Sequence, residues 1–202
     1  ATLIVTAGTA VYGLDVLGGL VAGQSLVVTG AGPIGLLGVA AAKALGAYPV
    51  ILTDIVDERL KVGTTLGADY VINAAKQSAR DAVFEINGGR GVDFVLECSG
   101  APRGVDEAIN LVNRGGRICL AAFSHEPQLV DVCEIVTNNI YLFGIRGEGK
   151  SAVRRAASLM AQKKLDPSPI HTHTFPLEEL ETGLRYAREK LDGAIKVVIT
   201  TR

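Results

Sequence analysis

Three glycines, Gly30, Gly32 and Gly35, stand in the spacing G-x-G-x-x-G within "VVTGAGPIGLLG" (27–38), and Asp54 closes the run "VILTD" nineteen residues after the last of them. A run of β-branched residues precedes the glycines and a long apolar stretch follows. In that context each glycine has a distinct job. Gly30 permits the tight turn out of a strand, Gly32 lets a diphosphate approach bare main chain, and Gly35 lets the following helix pack closely on the sheet. Pro33 takes the first helical position, where its missing N–H has no intrahelical partner to lose. The free amides of that first turn, at Ile34 and Gly35, then face an anion with the helix dipole behind them, worth about 0.3–1 kcal/mol when exposed. Asp54 supplies the second half of the signature. A carboxylate at that strand end accepts from the hydroxyls of an adenosine ribose and repels a 2′-phosphate, so NAD is favoured over NADP. Arg59 either lies beside the adenine or ribose or pairs with Asp57 or Glu58 on its own helix.

A sheet must hold these groups at its edge. Strand-length apolar runs recur at 25–29, 49–53, 69–72, 92–97, 117–122 and 140–145. Each is nearly continuous in Val, Ile, Leu or aromatic residues, as strands buried on both faces are. Helical patterns fall between them at about 33–46, 56–67, 77–87, 103–113 and 131–138, with Gly67, Gly104 and the Gly115–Gly116 pair as punctuation. Such β–α alternation with short glycine-rich connections predicts an α/β fold with a doubly wound, six-stranded parallel sheet. A helix over 149–163 precedes a tail of different character: "LDPSP", the strand-like "IHTHTF", a helix from Leu177 to about Lys190 and a last strand "AIKVVIT". Residues 1–169 are expected to form the dinucleotide-binding domain and 170–202 a C-terminal return segment that packs on the sheet or belongs to another domain.

Composition narrows the function further. The 202 residues are 48% hydrophobic and carry 20 basic and 21 acidic side chains, a net charge of −1. That balance gives no electrostatic footprint for nucleic acid or an anionic membrane. The apolar opening, residues 1–23, lacks a basic leader, is interrupted by Asp15 and is diluted by glycines, which argues against a signal peptide or a span. It begins without Met in patterned sequence and reads as a piece of a longer chain. Cys98, Cys119 and Cys133 are odd in number and contain no C-x-x-C pair. They read as small buried hydrophobes in a reducing cytoplasm. His171 and His173 lie two apart with no third metal ligand nearby, and His125 in "FSHEP" is a loop histidine.

Taken together, "VVTGAGPIGLLGVAAAKALGA", "ILTDIVDERL", "LGADYVIN", "GVDFVLECSG" and "GGRICLAAF" resemble the coenzyme-binding part of the medium-chain, zinc-type alcohol dehydrogenases, most closely the threonine, sorbitol and polyol dehydrogenase branch. The resemblance spans essentially the whole chain; the GroES-like catalytic domain of that family is absent from it. By resemblance, Glu97-Cys98-Ser99-Gly100 matches the turn lining the adenosine-ribose side. Ala121, Ala122 and Phe123 match the segment under the nicotinamide ribose. Gly144, Ile145 and Arg146 match the stretch whose backbone holds the carboxamide, and Thr9 a threonine packed by the nicotinamide. Where the family carries a zinc ligand, this chain has Val5 or Thr6, neither of which ligates zinc; zinc is expected only in the missing catalytic domain, and no catalytic residue in this part. The resemblance implies NAD(H) binding with little turnover by this part alone, hydride exchange with a small alcohol in the whole enzyme, and a homodimer through the 140–145 strand edge. Two other functions remain open: a zinc-independent reductase of the quinone oxidoreductase kind, and a non-catalytic dinucleotide-binding or assembly module.

Overall fold

A computed structural model describes residues 2–124, 126–147, 149 and 151–201; His125 lies outside them. The chain opens with helix α1 (Ile4–Asp15) and then runs through β1 (Leu26–Thr29), α2 (Pro33–Ala44), β2 (Val50–Asp54), α3 (Asp57–Thr65), β3 (Tyr70–Asn73), α4 (Ala79–Ile86), β4 (Val92–Glu97), α5 (Gly104–Leu111), β5 (Val112–Leu120), α6 (Val132–Thr137) and β6 (Tyr141–Gly144). All six strands pair in parallel in the order β3-β2-β1-β4-β5-β6. The doubly wound sheet expected from the apolar runs is therefore present. The chain leaves β1 toward one edge and returns beside it as β4, so a topological switch lies between those strands, where open α/β sheets bind ligands.

Alternate strand residues feed two cores. Val28, Leu52, Leu96 and Cys119 point into the layer built by α1 and α2. Val27, Ile51, Val95 and Ile118 point into the layer that includes Val83 of α4 and Val105, Ala108 and Ile109 of α5. Burial on both faces is why these strands carry no polar alternation. Two elements depart from the sequence expectation. The helix α1 occupies a stretch to which the hydrophobic pattern assigned no element. Its Ala7, Gly8, Ala10, Val11, Gly13 and Leu14 are all buried, and a helix apolar on so many sides shows little amphipathic period. Strand β5 begins at Val112, five residues before the expected 117, because its pairing with β4 slips between Val92 and Phe94 and accommodates Gly115 and Gly116.

After α7 (Ala152–Ala161), the tail forms its own parallel two-stranded sheet, β7 (His171–Pro176) with β8 (Lys196–Thr200), joined by α8 (Leu180–Glu189). His173, Phe175 and Tyr186 stack within this unit, while Leu177, Leu180 and Leu184 stay exposed. The cysteine reading needs correction: Cys119 is buried and Cys98 half-buried, but Cys133 is exposed, because it sits on the short α6, none of whose residues is buried.

Candidate functional site

A crevice of about 810 Å³ opens at the carboxyl ends of β1, β2 and β4, within the size range of small-ligand sites. Its wall is the glycine turn. Gly30 has φ +89°, and a Cβ there would stand 2.7 Å from Cα of Ser99, so only glycine fits both the backbone and the neighbouring turn. A Cβ on Gly35 would lie 1.9 Å from the carbonyl oxygen of Gly30; this glycine lets α2 start directly under the turn. Gly32, by contrast, caps α2 with ordinary extended backbone, φ −78° and ψ 178°. A Cβ there would meet nothing within 4 Å. The main chain at Gly32 is therefore open to the crevice it lines, with room for a ligand to approach it. Pro33 occupies the first helical turn as expected.

Asp54 is fixed at the crevice by two main-chain donors. The amide of Ala31 donates to Oδ2 at 2.6 Å and that of Val56 to Oδ1 at 2.9 Å. The carboxylate thus ties the glycine turn to the end of β2 and keeps lone pairs for a ligand. Arg59 lines the same crevice. Of the two acids expected as its alternative partners, Glu58 lines the crevice too, and Asp57 is bonded by Lys76 at 2.5 Å and Asn73 at 2.6 Å. Those two bonds, Lys76 first, hold the Asp57 carboxyl below its usual range.

Opposite, Cys98 and Ser99 close the crevice. Their turn is built around Glu97, 3% exposed, which accepts from the Ser99 and Gly100 amides at 2.8 and 3.1 Å and from the Ser99 hydroxyl. Burial first, then the charge of Glu97, pushes the Cys98 thiol well above its ordinary range, so it lines the site as a thiol rather than a thiolate.

The remaining expected residues lie farther along the sheet. Ala122 lines a separate, smaller hollow with Glu97 and Leu120, and Ala121 is buried beside it. Gly144 ends β6, the Ile145 amide donates to the Leu120 carbonyl at 3.0 Å, and Arg146 is exposed. Thr9 sits on α1, its hydroxyl bonded back to the Val5 carbonyl at 3.3 Å. It lies one turn before Gly13, where an added Cβ would stand 3.2 Å from Cδ1 of Ile145. None of these lines the main crevice. Sequence reading missed Lys190 and Gly193, which reach the crevice from the tail, and Glu107 from α5. No local spacing signals them, since the fold alone brings them there.

Residues 33–162 match the family model described as "Zinc-binding dehydrogenase". The chain belongs to that family. Its relatives include L-threonine 3-dehydrogenase of Pectobacterium atrosepticum, 33% identical over 86% of this chain and 48% of that protein. The Pyrococcus horikoshii enzyme of the same name is 38% identical over 87% and 50%. Among solved structures, an alcohol dehydrogenase of Thermotoga maritima superposes with a TM-score of 0.89 at 32% identity, covering 96% of this chain and 55% of that one. The 2R,3R-butanediol dehydrogenase of Bacillus subtilis superposes at 0.90 with 25% identity, over 99% and 57%. The chain thus spans about half the length of the relatives it matches, and corresponds to the coenzyme-binding part of the medium-chain alcohol dehydrogenases. The family's zinc does not fit the residues on hand. Among the described residues no three His, Cys, Asp or Glu side chains gather into a ligand set. Val5 and Thr6, at the place where a ligand is expected by resemblance, lie on α1 and offer none.

Proposed function

We propose that this chain is the NAD-binding part of an alcohol or polyol dehydrogenase that exchanges hydride between a small secondary alcohol and NAD(H). The observation that carries the reading is the unfilled space at Gly32 on the first turn of α2, with Asp54 anchored beside it. The diphosphate lies against the Gly32 main chain and the amides of Ile34 and Gly35. The adenosine ribose gives its hydroxyls to Asp54, with Arg59, Cys98 and Ser99 along the walls. The nicotinamide extends toward Ala121, Ala122, Gly144, Ile145, Arg146 and Thr9. The coenzyme supplies the hydride acceptor; these residues bind it, orient its ring and keep its adenosine end fixed. The L-threonine 3-dehydrogenase relatives favour a small hydroxylated substrate, bound in the remainder of the enzyme. Residues 1–169 act as the coenzyme domain and 170–202 as the return segment, whose exposed Leu177, Leu180 and Leu184 await a neighbour.

A titration with NADH and NADPH tests this: binding of NADH at least tenfold tighter supports the reading, and equal or reversed preference favours the quinone reductase alternative. We also infer a homodimer through β6, which pairs with β5 on one side only. Tyr141 on that strand is exposed, as are Val132 and Val136 on the preceding α6, and an open apolar edge is an invitation to strand pairing. A monomer mass by light scattering at high concentration contradicts it; a dimer that ignores NADH favours the assembly module. Three unpaired thiols suit a reducing cytoplasm. No helix among the described residues is long and apolar enough to cross a membrane.

A further inference from the structure

Five polar or charged side chains are buried among the described residues: Ser25, Thr29, Thr53, Asn73 and Glu97. Three have evident partners. Ser25 bonds Asp93, Asn73 bonds Asp57, and Glu97 holds the turn at Ser99. Thr29 does not. Its hydroxyl is shielded from solvent with no hydrogen-bond partner, although the residue is only 6% exposed and lines the main crevice. A buried, unpaired hydroxyl costs free energy and calls for a reason. Thr53 pairs with Thr29 across the sheet, at the same level and on the same face. It too lines the crevice, and no bond to its side chain is seen among the described residues.

The position is informative. Two residues earlier in the same strands, Val27 and Ile51 face the α5 layer; Thr29 and Thr53 continue that face to the strand ends, where the crevice begins. Around them stand Ile55, 69% exposed, with Ala74 and Ala101. That is a slot with Thr29 and Thr53 at its floor, next to the ribose-binding Asp54, in the crevice that Gly32 also lines.

Resting on the coenzyme reading, we propose that Thr29, seconded by Thr53, is the base-recognition group of this site, hydrogen-bonding the ring edge of the bound purine. A hydroxyl both donates and accepts, which suits adenine, whose edge carries an amino donor beside ring-nitrogen acceptors. A turn about the Cα–Cβ bond of Thr29 exchanges its hydroxyl for its methyl and brings the polar atom to the base. In the unliganded protein the orphaned hydroxyl is a stability cost, and the ligand relieves it.

The test uses Thr29→Val, which keeps the β-branched shape and removes the hydroxyl, and Thr29→Ser, which keeps the hydroxyl. Calorimetric titration with ADP-ribose is paired with thermal melting of each unliganded protein. The expected result is a Kd raised about three- to tenfold for T29V, the size of one neutral hydrogen bond. The unliganded T29V protein melts at the wild-type temperature or above it, and T29S binds like wild type. Wild-type affinity in T29V, or a fall in affinity matched by a fall in melting temperature, overturns the inference and leaves Thr29 a packing residue. If the wild-type protein itself fails to bind ADP-ribose at millimolar concentration, the coenzyme reading fails first, and this inference with it.

Discussion

Replacing Asp54 probes the ribose contact and the loop together. Each carboxylate oxygen already accepts one main-chain amide, Ala31 at 2.6 Å and Val56 at 2.9 Å. A carboxylate offers about four acceptor sites, which leaves roughly two for the ribose hydroxyls. A hydrogen bond to a charged group contributes about 1.5–3 kcal/mol, so Asp54→Ala should raise the Kd for NADH roughly ten- to 150-fold. It also strips the partner from the amide of Ala31, a fully buried residue, and the melting temperature should fall. Asp54→Asn is no milder. With both oxygens facing N–H donors, the amide variant must turn its own NH₂ toward one of them, donor against donor. Both variants should also lose discrimination against NADPH, since the charge that repels a 2′-phosphate is gone. Fluorescence titration with NADH and NADPH, run well below each variant's melting temperature, separates binding from stability. An NADH affinity within twofold of wild type for D54A, or an unchanged NADH-to-NADPH ratio, would refute the assignment.

Other outcomes follow from the same geometry. Gly35→Ala places a Cβ 1.9 Å from the Gly30 carbonyl oxygen, so α2 must back away from the sheet. The melting temperature should drop, with about 1–3 kcal/mol lost in chemical denaturation, the usual cost of overpacking; a protein as stable as wild type contradicts the close packing. Burial, aided by Glu97, raises the Cys119 thiol from 9.0 to about 12. Above pH 9 the unfolded chain ionises this thiol while the folded chain keeps it protonated, so its stabilising contribution declines as pH rises from about 9 to about 12. Denaturation of Cys119→Ala should show a shallower loss across that window than wild type; identical slopes would mean that the thiol is not desolvated. Thiol labelling of the native protein at pH 8 should modify exposed Cys133 and spare Cys98 and Cys119, read by peptide mass.

The sheet was legible in the sequence because burial on both faces turns each strand into an uninterrupted apolar run, and the glycine turn because three separate steric demands fall at fixed spacing. Helix α1 was hidden for the opposite reason: with Ala7, Gly8, Ala10, Val11, Gly13 and Leu14 all buried, no polar stripe marks its period. The early start of β5 depends on a slipped register against β4, which only pairing reveals. Cys133 misled because its neighbours in sequence are apolar, yet α6 buries none of its residues. At the site, Asp54 and the glycines were readable as local signals. Lys190, Gly193 and the orphaned hydroxyl of Thr29 were not, since their meaning comes from what the fold places around them.

Gly32→Ala tests most directly whether a diphosphate rests on bare main chain at the start of α2. A methyl group there meets no described atom beyond its two chain neighbours within 4 Å, and the backbone, at φ −78°, admits alanine without strain. The account predicts a variant that melts like wild type and binds NADH at least tenfold more weakly. Wild-type affinity in a normally folded Gly32→Ala protein would show that the coenzyme does not lie there.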